Sequence, residues 1–267
     1  MKKGMVFLAS MMMFLTMSVA ARGAETLTCW FPPDWSAKAD QAREIVTALN
    51  KGSGLDIRPR IARSYPEILT AFSSDEQNLV YVGSFVQAII KARDLGTPLV
   101  QTVNGKELYA GILVYPRGEN PAAILENHAE QIAYAVGASS GESAAKAATG
   151  GRAAMAVPNH GAASAAVVAG KAKGALVKNW WWDDNQEKFP TLASYEIPGI
   201  SIRQNPDNVL TASKAVPAQV REKIIAAAMA GKEVFGGSEM APFDGSGLDF
   251  SLELMKKGNI DPRTYTW

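Results

Sequence analysis

The stretch "AVGASSGESAAK", Ala135 to Lys146, decides the reading of this chain. "QIAYAVG" ahead of it is an apolar run that predicts a strand, and "SGESAAKAATGG" predicts a helix. Small hydroxyl and glycine residues fill the junction. A helix start exposes unpaired N–H groups and a partial positive charge, glycine permits close approach, and serine adds donors. The junction therefore offers a cradle for an anion. It also offers an ordinary cap, because Ser139 followed by Glu142 spells a capping box. The two readings are compatible.

The same alternation extends in both directions. Upstream, "TLTCWF", "LDIRPRIA", "LVYVG" and "PLVQTV" read as strands. They alternate with helices over "SAKADQAREIVTALNKGSG", "SYPEILTAFSS" and "SFVQAIIKARDLG". "LYAGILVYP" is a further strand. Downstream, "AAMAVP", "GALVKN", "LASYEI" and "VLTAS" read as strands, with helices over "HGAASAAVVAGK" and "PAQVREKIIAAAMAGKEV". Trp180, Trp181 and Trp182 are read as the end of the "GALVKN" strand, packing there or walling off a ligand. Strands alternating with helices predict an α/β fold with mostly parallel sheets. Two such runs predict two lobes joined by extended links near residues 109–115 and 201–211. Residues 25–110 with 209–267 would form lobe 1, and 111–208 lobe 2.

The first residues differ in kind. Lys2 and Lys3 precede the apolar run "MVFLASMMMFLTMSVA", and "ARGAE" follows. A basic start, a short apolar core and small residues predict an export signal over residues 1–24, cut after Ala24 or Ala21. The competing reading is a membrane anchor; the run is short for a span. Cleavage would remove Lys2, Lys3 and Arg22 and no acid, which leaves 24 basic and 26 acidic residues. So balanced a charge points away from nucleic acid. Cys29 is the only cysteine, which excludes an internal disulfide.

Gly137-Ala138-Ser139-Ser140-Gly141 also matches the G-x-S-x-G nucleophile elbow of serine hydrolases. That chemistry needs an acid and a histidine downstream. Only His128 and His160 exist, and the only acid between Ser139 and His160 is Glu142, in the serine's own turn. A hydrolase using Ser139 is therefore the minor alternative. His160 stands at another strand-to-helix junction, where it can donate to an anion or simply pack, and Asn159 can cap that helix. No His, Cys and carboxylate residues share metal-ligand spacing.

In their order, these pieces resemble the phosphate, phosphite and phosphonate-binding proteins of ABC importers. The pieces are "SYPEILTAF", "LVYVGSF", "LYAGILVYPRG", "GASSG", "PNHGAASAAVVAGKAKGALVKN", "PGISIRQNPDNVLTASKAVP" and "APFDGSGLDF". The resemblance covers nearly all of the chain after the signal. It implies the type II periplasmic binding protein fold, two α/β lobes on a two-strand hinge. It also implies a periplasmic, monomeric, non-enzymatic subunit that needs no cofactor and delivers a small oxyanion to a membrane permease. A sensor subunit docking on a receptor kinase would share the ligand. The resemblance further implies that Ser139 and Ser140 donate to ligand oxygens beside the Gly141 amide, and that His160 donates from the second lobe. Tyr65 and Tyr109 would close the pocket, and Asn179, Trp181 and Asn208 would contact the ligand's substituent. The chain departs from the family pattern at Ala138, where a serine is common, at Asn208, where an acid is common, and in its "WWW" run. Glu142 also adds charge. Pointing outward it would leave the cradle intact; pointing inward it would oppose a dianion.

Overall fold

The computed structural model describes residues 26–267, so the segment read as an export signal lies outside the described residues. The chain begins with β1 (Leu27–Phe31), α1 (Ala39–Ser53), β2 (Ile57–Ile61), α2 (Tyr65–Phe72), β3 (Asn78–Val82), α3 (Ser84–Ala92) and β4 (Gly96–Val103). α1 is helical because Ala42, Ile45, Val46 and Leu49 recur at helical spacing, and all four are buried. A two-residue strand β5 (Leu108–Tyr109) then leads out.

The second lobe holds β6 (Gly111–Pro116), α4 (Pro121–Asn127), β7 (Ile132–Ala135), α5 (Ala144–Ala148), β8 (Met155–Val157), α6 (His160–Val168), β9 (Gly174–Lys178), α7 (Asn179–Asn185) and β10 (Leu192–Tyr195). The chain returns through β11 (Asn205–Pro206) to β12 (Val209–Ser213), α8 (Ala218–Ala230), β13 (Glu239–Pro242) and α9 (Asp249–Lys257).

The strands form two separate sheets. One has the order β13-β4-β12-β3-β1-β2, the other β10-β6-β9-β7-β8. In the first, β2, β1, β3 and β4 run one way, against β12 and β13. In the second, β7, β8, β9 and β10 run together against β6. Both sheets are thus mostly parallel. Each carries apolar clusters on both faces, so its central strands are buried throughout, as β3 and β12 are. Cys29 lies in β1 between β2 and β3 with no exposed surface. The lobes are linked by β5 and β11, which pair antiparallel through Tyr109 and Asn205.

α9 sits between the lobes. Phe250 and Leu254 join a core of the second lobe, and Met255 joins one of the first.

One predicted element is corrected. Trp180, Trp181 and Trp182 do not end a strand: β9 stops at Lys178 and the three lie on α7. Aromatic residues favour strands only weakly, and here packing overrides that preference. The helical turn buries Trp182 against Phe189 and sends Trp181 toward His160.

Candidate functional site

The serine junction is a wide turn. β7 ends at Ala135, and Gly137 takes a positive φ of 70° that redirects the chain. Ser139–Ser143 then form one π-helical turn that runs into α5. The Ala138 carbonyl accepts from the amides of both Gly141 (3.1 Å) and Glu142 (2.7 Å). The Gly141 amide is therefore occupied within the turn, and Gly141 does not line the cavity described below. Its lack of a side chain serves packing, since a Cβ there would lie 2.7 Å from the Ala135 carbonyl oxygen.

The capping box does not form. Glu142 Oε2 instead accepts from the Gly137 amide, 2.8 Å away, and Ser139 turns to a different partner. Glu142 also accepts from Lys146 Nζ (3.2 Å), Trp267 Nε1 (3.2 Å) and the Tyr265 hydroxyl. Glu142 itself does not line the cavity, and of its partners only Gly137 does, so its charge is already taken up by groups of the protein.

Ser139 joins a chain of hydroxyls. Ser84 Oγ donates to Ser139 Oγ at 2.8 Å and lies 2.7 Å from the Tyr109 hydroxyl. Ser84 starts α3 in the first lobe, Tyr109 is on β5, and Ser139 is in the second lobe. With Tyr109 donating to Ser84, the Ser139 proton is left to donate onward, and each bond polarises the next. Burial pushes the Tyr109 hydroxyl pKa well up, so it stays protonated. Sequence reasoning missed Ser84, although "VGSF" shows the same signal as "GASSG", a glycine and a serine at a strand-to-helix junction.

Ser140 faces His160. The two approach to 3.4 Å between Oγ and Nε2. His160 opens α6, whose start is capped by Asn159 accepting from the Ala162 amide at 2.9 Å. Burial, and then the Lys178 ammonium, push the His160 pKa down to about 3. The imidazole is neutral at physiological pH and has one proton to donate. Its buried Nδ1 has no hydrogen-bond partner. No carboxylate orients the ring, and Ser139 bonds to Ser84 rather than to a histidine, so the elbow does not assemble a triad.

This depressed value has a measurable consequence. Between about pH 6.5 and pH 3 the unfolded chain binds a proton at His160 that the native chain does not. Stability should therefore fall with falling pH, by up to about 1.4 kcal/mol per pH unit. Urea unfolding of the ligand-free protein between pH 6.5 and pH 5, above the range of the carboxylates, measures the slope. His160→Gln should flatten it, and an unchanged slope in that variant would refute the assignment.

The remaining walls carry charge. Lys178, the last residue of β9, places Nζ 2.7 Å from Asp207 Oδ1. The same ammonium sits 3.8 Å from the centroid of the Trp180 ring and 4.2 Å from that of Tyr109. Burial draws its pKa down, against the opposing pull of Asp207. Asp207 is fixed next to β11 by its amide, which donates to the Glu107 carbonyl at 2.8 Å. Neither Lys178 nor Asp207 stood out in the sequence, because nothing in a strand's last residue tells which way it faces.

These groups enclose one cavity of about 270 Å³ between the two sheets. Of the residues singled out from sequence, Tyr65, Tyr109, Ser139, Ser140, His160, Trp181 and Asn208 line it. Asn179 does not. Its Oδ1 accepts from the Ala110 amide (2.9 Å) and its own amide donates to the Ala110 carbonyl (3.0 Å), so it ties β9 to the crossover. Asp34 and Lys38 stand exposed at the rim. Among the described residues no three His, Cys, Asp or Glu cluster as metal ligands, and no helix is long and apolar enough to cross a membrane.

Residues 32–241 match the family model described as "ABC transporter, phosphonate, periplasmic substrate-binding protein". The chain belongs to that family. Solved structures agree on the fold. PhnD1 from Prochlorococcus marinus, in complex with methylphosphonate, superposes with a TM-score of 0.66 at 13% identity, over 88% of this chain and 99% of that one. A binding protein component of an ABC phosphonate transporter from Pseudomonas aeruginosa gives 0.65 at 12% identity, over 87% and 88%. XAC2383 from Xanthomonas citri, bound to ATP, gives 0.65 at 13%, over 88% and 97%. Curated protein sequences offer no significant match. The family's members are periplasmic substrate-binding subunits, which implies a small ligand and a membrane permease as partners for this chain.

Proposed function

We propose that this chain is exported and captures a phosphonate, or its relatives phosphite and phosphate, between its lobes by hinge closure, then delivers it to a permease. One observation carries the reading. Ser139, Ser140 and His160 from the second lobe converge with Tyr65 from the first and Tyr109 from the hinge on one cavity, and Ser84 supports Ser139 and Tyr109 from behind the wall. A tetrahedral oxyanion needs donors from several sides, and hydroxyl and imidazole protons supply them. Hydrogen bonds to a charged oxygen are the strong kind. The ligand bridges both half-sites and so stabilises the closed form, while exclusion of water strengthens each donor. Binding alone is required; no bond is broken.

A thermal-shift panel of ligand-free protein with phosphate, phosphite, methylphosphonate, larger phosphonates and sulfate tests this. A true ligand at a hundred times its Kd adds about 2.7 kcal/mol of stability. Ser140→Ala should weaken binding by about 1.5–3 kcal/mol, the worth of a hydrogen bond to a charged group. No shift with any of these anions would sink the proposal.

A further inference from the structure

The cavity contains a feature that an oxyanion cradle does not require. A carboxylate with two aromatic faces is the arrangement that receives an ammonium group. Asp207, Trp180 and Tyr109 make that arrangement, and the protein fills it with its own Lys178. The Lys178 side chain is only 13% exposed, so the ammonium is held within the wall rather than waving in solvent. Its position is central. The Tyr109 ring beneath it carries the hydroxyl that feeds Ser84 and Ser139, and its charge is felt at His160. The serine, tyrosine and neutral histidine donors of the cradle carry no net charge themselves. The other charged lining groups, Asp34 and Lys38, are exposed at the rim and of opposite sign.

We propose that Lys178 is a built-in counter-cation of the ligand site, whose caged ammonium faces the bound oxyanion and excludes ligands that carry an ammonium substituent of their own. This rests on the phosphonate reading above and narrows it to phosphonates with an uncharged or anionic substituent. A ligand ammonium would find its carboxylate and both rings taken, and would meet a like charge. A methyl or carboxymethyl substituent meets no such penalty, and a carboxylate gains an attraction.

Calorimetric titration of methylphosphonate, phosphonoacetate and 2-aminoethylphosphonate into wild type and Lys178→Met tests the idea. Wild type should bind the first two at least tenfold more tightly than the aminoethyl compound. Lys178→Met should weaken methylphosphonate at least tenfold and, with the cage vacated, move 2-aminoethylphosphonate to the top of the ranking. The double variant Lys178→Met/Asp207→Asn should lose that gain. Tighter wild-type binding of 2-aminoethylphosphonate than of methylphosphonate overturns the inference alone, and this readout does not depend on either variant folding. An unchanged ranking in a folded Lys178→Met protein does the same. Binding of none of the three to wild type overturns the phosphonate reading together with this one.

Discussion

Alanine at position 137 should abolish high-affinity ligand binding while both lobes stay folded. Gly137 sits directly under Tyr65, and a Cβ there would come within 2.6 Å of three carbons of that ring. Tyr65 cannot simply swing aside. Its ring is stacked on Trp267 at 5.4 Å, and Trp267 packs on Phe85 at 5.6 Å. Position 137 also has a φ of 70°, which for a residue with a side chain adds about 1–3 kcal/mol of strain. The clash exists only where the lobes meet, because Tyr65 belongs to one and Gly137 to the other. If binding works by the proposed hinge closure, an open form would escape the clash and a closed form would not. A loss of at least a hundredfold in affinity, about 2.8 kcal/mol, is expected by calorimetry, with a far-ultraviolet spectrum like wild type. Affinity within threefold of wild type would show that these lobes do not approach as closely in solution.

Glu142→Ala should be among the most destabilising substitutions in the second lobe. The carboxylate is 2% exposed and accepts from the Gly137 amide, Lys146, Trp267 and the Tyr265 hydroxyl. Removing it takes from the mostly buried Lys146 ammonium its carboxylate partner, leaving it only the Tyr265 hydroxyl and ring contacts, and leaves the Gly137, Trp267 and Tyr265 donors without their acceptor. Breaking a buried ion pair on one side costs about 3–5 kcal/mol. Denaturant unfolding measures this, and a loss below about 1 kcal/mol would contradict it. The substitution should also loosen the interlobe contact, because Tyr265 and Trp267 pack against Phe85 in the first lobe while bonding to Glu142 in the second. Glu142→Gln, which keeps the shape and can still accept, should cost less.

The alternation of apolar runs with helical patterns was enough to read the α/β class, because strands covered on both faces are apolar along their whole length. The order of motifs carried the family. Tyr65, Tyr109, Ser139, Ser140, His160, Trp181 and Asn208 were legible as cavity residues through that order rather than through local pattern. What escaped was whatever depends on two distant segments meeting. β5 and β11 are two residues each and exist only because they pair with one another. Ser84 acquires meaning from Ser139, 55 positions away, and Lys178 from Asp207, 29 away. Glu142 looked like half of a capping box because the three-residue spacing fits an α-helix. The π-helical turn changes that spacing, and the carboxylate reaches Gly137 instead.

Cys29 has a practical consequence. The thiol is enclosed on β1, one strand in from the edge of the six-stranded sheet, and burial pushes its pKa far above the usual range. A thiolate is the species that alkylating reagents attack, so the native side chain is inert toward maleimide dyes while the fold persists. One cysteine introduced at the rim would thus take up a fluorophore selectively, turning the protein into an optical reporter without first deleting its own sulfur.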